Sequence, residues 1–145
     1  MWVRFTKRAR ELFDYAQDEA ATRGQREVDT EHLLLAITRN ENFVAYQVLS
    51  KAGFSLEALR IRMEQRIAGG MPVDKAEQHL TPAAHRVTDL AYEEVRATNG
   101  KYIGTEHLLL GLIAEEGGIA AQALQEAGVD PEQLRVIVKQ MHQGL

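Results

Sequence analysis

The sequence predicts an all-α domain of eight helices, arranged as two tandem four-helix repeats that share one core and are related by a pseudo-twofold. Three observations lead there. The hexapeptide Thr30-Glu31-His32-Leu33-Leu34-Leu35 returns as Thr105-Glu106-His107-Leu108-Leu109-Leu110, 75 residues later. The same offset maps Thr6 onto Thr81, Asp14 onto Asp89, Glu19 onto Glu94, Ala52-Gly53 onto Ala127-Gly128 and Arg60 onto Arg135 without a gap, the mark of one duplicated unit. Finally, apolar residues recur every three or four positions and no stretch shows the alternation of a strand. Each half alone would be small for independent folding, so the two are expected to bury a common core. The boundaries read as one domain over 1–145, with repeat one at 4–67, a linker at 68–78 and repeat two at 79–143.

The first helix is expected from Thr6 to Arg23. Phe5, Ala9, Leu12, Phe13, Ala16 and Ala20 make one buried face, Thr6 caps the start and Gly24 follows the end. Its counterpart begins at Thr81-Pro82, where a proline lacking an N–H suits the first helical position, and stops near Asn99-Gly100. Second helices run from Thr30 to about Arg39 and from Thr105 to about Glu115, with Thr as the N-cap and Glu in the first turn, where the helix dipole favours a carboxylate. Their leucine triplets are apolar nearly all round and predict a central position. Third helices span Val44 to Lys51 and Ile119 to Glu126, ended by Gly53 and Gly128. Fourth helices span Ser55 to Ile67 and Asp130 to about His142. The Gly- and Pro-bearing stretch 68–78 between the copies reads as a mobile linker.

The bulk composition narrows the function classes. The chain has 145 residues, 45% hydrophobic and 26% charged, with a net charge of -4, so nothing global favours nucleic acid or an anionic membrane. Cysteine is absent, which excludes disulfides and thiolate chemistry and fits a reducing compartment. No apolar run approaches the roughly 20 residues of a membrane span, and the N-terminus lacks a signal-peptide core. A soluble cytoplasmic protein is expected.

The doubled Thr-Glu-His can be structural: Thr caps, Glu answers the dipole and His bonds within the fold. A metal site pairing Glu31/His32 with Glu106/His107 is disfavoured, because adjacent helical residues point about 100° apart. Acid–base catalysis by the Glu/His pairs lacks an accompanying nucleophile or oxyanion signature. Gly69-Gly70 and Gly117-Gly118 do not sit in the strand-to-helix context of a phosphate loop. A binding reading fits more of the residues. Thr6 and Thr81 open helices, and each follows a basic or potentially basic residue two positions earlier, Arg4 and His79. Helix starts attract phosphate through free N–H groups. Were Glu31 near Thr6 and Glu106 near Thr81, each pocket would have an anion-binding and a cation-binding half.

The motif R-F-T-x-R-A at 4–9, the doubled T-E-H-L-L-L and E-E-G-G-I-A-A at 115–121 closely resemble the N-terminal repeat domain of ClpC-type AAA+ unfoldases, over essentially the whole chain. The resemblance implies a helical domain that binds adaptor proteins and protein substrates and feeds them to a hexameric Clp ATPase, which passes them to the ClpP peptidase. It further implies recognition of phosphoarginine as a degradation mark. Carried over by position, Arg4, Thr6 and Glu31 fall in one pocket and His79, Thr81 and Glu106 in the other, with Glu on the guanidinium and Thr with its basic neighbour on the phosphate. No cofactor, metal or catalytic residue is implied. The sequence departs from the family where Asp29 replaces the glycine kept at Gly104, where the E-G-x-G turn becomes Arg39-Asn40-Glu41-Asn42-Phe43, and where Tyr46 stands opposite Ala121. The second pocket is therefore expected to be the better one. Trp2 and Phe5 read either as partner contacts or, for Phe5 above all, as a staple onto the core.

Two further classes stay in view. A stand-alone copy would dock adaptors or sequester ligands without reading phosphoarginine, and a small enzyme would turn over a phosphorylated or guanidino substrate through its Glu/His pairs. No Walker A motif occurs, so an ATPase would lie on another chain or in a longer protein. The isolated domain is expected to be a monomer.

Overall fold

Helix starts and stops follow local chemistry in both halves of the computed structural model, which describes residues 4–67 and 69–144. Helix α1 (Lys7–Thr22) is capped by Thr6, whose hydroxyl accepts from the Ala9 N–H at 3.1 Å. Helix α5 (Pro82–Ala97) repeats this with Thr81 and Ala84, again at 3.1 Å. Next come α2 (Thr30–Ile37), α3 (Val44–Lys51) and α4 (Leu56–Glu64) in the first half, and α6 (Thr105–Ala114), α7 (Ile119–Glu126) and α8 (Pro131–His142) in the second. Gly53 and Gly128 end α3 and α7 with left-handed φ angles of 94° and 90°. At the end of α5 the left-handed residue is Asn99 rather than Gly100. Helix α4 is shorter than the sequence suggested, stopping at Glu64 instead of Ile67.

Two short backbone pairings, absent from the sequence expectation, tie the halves together. Strand β1 (Glu27–Val28) runs parallel to β2 (His79–Leu80), and Phe5 bridges to Ile103 in the same sense. Two residues cannot leave a readable period in the sequence, so only the folded chain reveals them. Each pairing sets the segment before one long helix beside the segment before the other half's leucine helix.

The doubled Thr has a different task from the one expected. The N-caps of α2 and α6 are Asp29 and Gly104, and the threonines occupy the first helical position. Their hydroxyls cross to the opposite repeat: Thr105 Oγ1 accepts from the Ala45 N–H at the start of α3 (3.0 Å), and Thr30 Oγ1 accepts from the Ala120 N–H at the start of α7 (3.4 Å). Both threonines are buried, so each satisfies an orphan helix-start donor that water cannot reach.

Helices α2 and α6 are central, as their all-round apolar character required. Helix α1 packs on α2 as α5 packs on α6, and α3 meets α6 and α8 as α7 meets α2 and α4, which is the expected pseudo-twofold. One cluster of buried side chains runs through both repeats, including Leu33, Leu34 and Leu35 with Leu108, Leu109 and Leu110. Phe5 belongs to it, stacked on Phe13 at 5.5 Å, whereas Trp2 lies outside the described residues. At Gly111 a Cβ would crowd the Val87 carbonyl and lie 3.2 Å from the Ala91 N, so α5 and α6 approach backbone to backbone there. The stretch expected as a mobile linker is tied along α1 from Val73 onward. The Val73 N–H donates to the Ala21 carbonyl (3.0 Å), Lys75 pairs with Asp18 (2.7 Å), and the Gln78 amide donates to the Gln17 carbonyl (3.0 Å).

Candidate functional site

The Phe5–Ile103 bridge sets the start of α1 beside the start of α6, and the β1–β2 pair sets the start of α5 beside the start of α2. The grouping expected from the resemblance is therefore crossed. Thr6 shares a cavity with Glu106, and Thr81 bonds to Asp29, next but one to Glu31. The Arg4 carbonyl accepts the Ile103 N–H at 2.7 Å, so Arg4 and Thr6 lie beside the start of α6, and the β1–β2 pairing sets His79 and Thr81 beside the start of α2, which carries Glu31. The reason is geometric: the halves exchange partners through short parallel pairings, so each pair of neighbouring helix starts takes one from each repeat.

The cavity beside Glu106 has a volume of about 780 Å³ and lies among α5, α6 and α8. Val44, Leu110 and Val138 give it an apolar floor, Thr6 and Tyr102 line its mouth, and Arg8, Arg135 and Lys139 bring positive charge to it. Arg135 is held by Glu94 (2.8 Å), while Lys139 makes no ion pair among the described residues. Glu106 is mostly buried, and its Oε2 lies 2.7 Å from Nε2 of His142, the last residue of α8. A Cβ at Gly104 would collide with the Glu106 Oε1, so glycine there makes room for the carboxylate. The Thr6 hydroxyl accepts from Ala9 and leaves its own proton available to a ligand.

His107 completes the local architecture. Its Nδ1 accepts the Gly104 N–H at 2.9 Å, closing the helix start as a capping box does. Burial pushes its pKa down, against the opposing pull of Glu106. Glu106, His107 and His142 present ligand atoms within 4.8 Å of one another, the spacing of a metal site. Yet an Nδ1 that accepts a backbone proton leaves the neutral ring protonated on Nε2, so His107 has no lone pair to offer a metal while the box is closed. The cluster is better described as a carboxylate–imidazole pair, Glu106 with His142, beside a structural histidine.

The other half-site differs at its centre. Asp29 Oδ1 accepts both the Thr30 N–H and the Thr81 hydroxyl, each at 2.8 Å. His32 repeats the box, its Nδ1 accepting the Asp29 N–H at 2.9 Å. Glu31 Oε1 and His32 Nε2 are buried with no hydrogen-bond partner among the described residues. Burial, reinforced by Asp29, pushes the Glu31 carboxyl up to about 7, and burial pushes His32 down to about 4. The signs oppose. Glu31 holds its proton more tightly folded than unfolded, so its contribution to stability is full below 4.5 and lost as pH rises through about 7. His32 holds its proton less tightly folded, so its contribution is present above 6.5 and lost as pH falls through about 4. Glu31→Gln removes the Glu31 contribution and leaves that of His32 in place. The wild type is thus expected to gain stability relative to this variant as pH falls from about 7 to 4.5, read from urea unfolding at several pH values. A pH-independent difference would contradict the assignment.

The family model for the Clp repeat (R) N-terminal domain matches residues 4–114 and, in a second match, 91–144. The chain belongs to the Clp repeat (R) N-terminal domain family. Among similar proteins, the chaperone protein ClpC1 of rice chloroplasts is 39% identical over 97% of this chain, and ClpC/MecB of Bacillus subtilis, a negative regulator of genetic competence, is 37% identical over 97%. The chain spans only 15% and 17% of the length of these two relatives. Two solved Clp N-terminal domains share the fold. The Arabidopsis thaliana ClpD domain has a TM-score of 0.75 at 22% identity, covering 99% of this chain and 97% of that one. The Vibrio cholerae ClpV N-domain has a TM-score of 0.80 at 15% identity, covering 97% and 84%.

For this Clp repeat domain, sequence reasoning found the helix starts and missed everything that α8 supplies. His142, Lys139 and Arg135 reach the cavity from that helix, and Tyr102 from the loop before α6. A signal did exist for two of them. At the 75-residue offset His142 and Lys139 stand opposite Ile67 and Glu64, so the copies diverge in charge at these positions while their cores match.

Proposed function

We propose that this Clp repeat domain is a recognition module that binds protein substrates and adaptors for a Clp ATPase, and that phosphoarginine is a ligand of the cavity at Glu106. The observation that carries this reading is the polarity of the cavity, with a carboxylate at the start of α6 facing a helix start and basic side chains across an apolar floor. A guanidinium would take Glu106 in a charge-assisted bond, in exchange with the half-exposed His142. The aliphatic stem of an arginine would lie on Leu110 and Val138. Its phosphate would face the first amides of α1, which lack intrahelical acceptors, together with the Thr6 hydroxyl, Arg8 and Lys139. His79, Thr81 and Glu31 form the corresponding set in the other half. A protein of this fold, the ClpV N-domain, is known in complex with a VipB peptide.

Calorimetric titration with phosphoarginine, with arginine and phosphoserine as controls, tests the reading. Saturable binding of phosphoarginine alone is expected, without release of phosphate. No binding by the folded domain would remove phosphoarginine and leave docking of adaptors as the function. Phosphate release would turn the Glu106–His142 pair into an acid–base pair and make the domain an enzyme.

A further inference from the structure

The two half-sites are equivalent by duplication and differ in what fills them. In the second, Glu94 is held by Arg135, and Thr98 turns its hydroxyl back onto the Val95 carbonyl at 3.2 Å, so the space beside them is open. In the first, Arg23 stands at the position of Thr98. Its guanidinium donates to Glu19 Oε1 (2.8 Å) and to Glu64 Oε2 (3.2 Å), spanning from α1 to α4, while Arg60 holds the same Glu19 at 2.9 Å. Glu64, at the position of Lys139, supplies an acid where the open cavity has a free base.

The anion-binding half differs in the same sense. The Thr6 hydroxyl proton has no acceptor among the described residues, whereas the Thr81 hydroxyl already donates to Asp29 (2.8 Å). By accepting the Thr81 hydroxyl at the start of α5, the Asp29 carboxylate sets a negative charge where an incoming oxyanion would bind and repels one that approaches. At Gly104 no side chain is present, and one built there would displace the Glu106 carboxylate.

We infer that the domain carries one open ligand site, at Glu106, and that the Glu31 half-site is filled by the chain's own Asp29 carboxylate and Arg23 guanidinium. This rests on the phosphoarginine reading for its ligand class. It makes Gly104 and Thr98, against Asp29 and Arg23, the residues that decide which copy binds. Duplication supplied two sites, and substitution at two positions converted one into internal ion-pair and hydrogen-bond structure.

The test combines calorimetric stoichiometry with amide chemical-shift mapping during titration with free phosphoarginine. The wild type is expected to bind one equivalent, with shifts clustered at residues 6–8, 104–107 and 139–142. The double variant Arg23→Thr/Asp29→Gly is expected to bind two, with new shifts at 29–32 and 79–81. The converse variant Gly104→Asp, which leaves the first half untouched, is expected to bind none while keeping its amide dispersion. Two equivalents in the wild type, or shifts at 29–32 and 79–81, would overturn the inference and leave the phosphoarginine reading standing. A double variant that folds and still binds one equivalent would overturn the role given to Asp29 and Arg23. Absence of any shift in the wild type would overturn the reading and this inference together.

Discussion

Glu106→Ala is expected to weaken phosphoarginine binding by about 10- to 100-fold, the worth of roughly 1.5–3 kcal/mol for a hydrogen bond to a charged group. The other carboxylate lining the cavity, Glu94, is held by Arg135, whereas Glu106 lies among the apolar Val44, Leu110 and Val138, where water competes poorly. Its partner within the chain, His142, is half-exposed and returns to solvent when the acid is removed, so the fold should be little affected. Glu106→Gln separates charge from shape: it keeps the side-chain outline and is expected to lose most of the same affinity. The result is read as a change in Kd by calorimetry, beside an unchanged urea midpoint. An unchanged Kd in Glu106→Ala would remove this residue from the site and with it the orientation proposed for the ligand.

Leu34→Ala and Leu109→Ala should each destabilise the whole domain by about 2–5 kcal/mol, the usual range for a leucine truncated in a packed core. Both side chains are fully buried, at equivalent places on the two central helices. A loss of that size lowers the melting temperature by roughly 5–15 °C in a domain of this length. The more informative part is the shape of the transition. The buried cluster runs through both repeats, and Thr30 and Thr105 each cap a helix of the opposite repeat. Unfolding is therefore expected to remain a single cooperative step in either variant. Calorimetric and spectroscopic traces that split into two transitions, with the mutated half melting first, would show that the repeats fold separately.

Much of this architecture was readable in the chain because it is set by short-range chemistry. Thr6 and Thr81 cap the helices they open, Gly53 and Gly128 end theirs, and the leucine triplets go inside because no face of those helices is polar. The duplication itself needs only two aligned copies of Thr-Glu-His-Leu-Leu-Leu. It tells that the helices come in two sets of four.

What the sequence could not assign is which residue meets which across the pseudo-twofold. Thr30 and Thr105 look like caps of their own helices, and they serve the starts of α7 and α3 because the hydroxyl sits one position inside the helix, pointing at the neighbour. The grouping of Thr6 with Glu106 and Thr81 with Asp29 is set by two parallel pairings of one or two residues, too short to leave any pattern. His142 reaches Glu106 from 36 positions away, a contact that depends on how α8 crosses α6. Local propensity fixes where helices begin and end, because those bonds lie within a few residues. Partner choice at a composite site is a long-range matter, decided when the two copies pack and the buried donors at the starts of α3 and α7 must find acceptors on the other repeat.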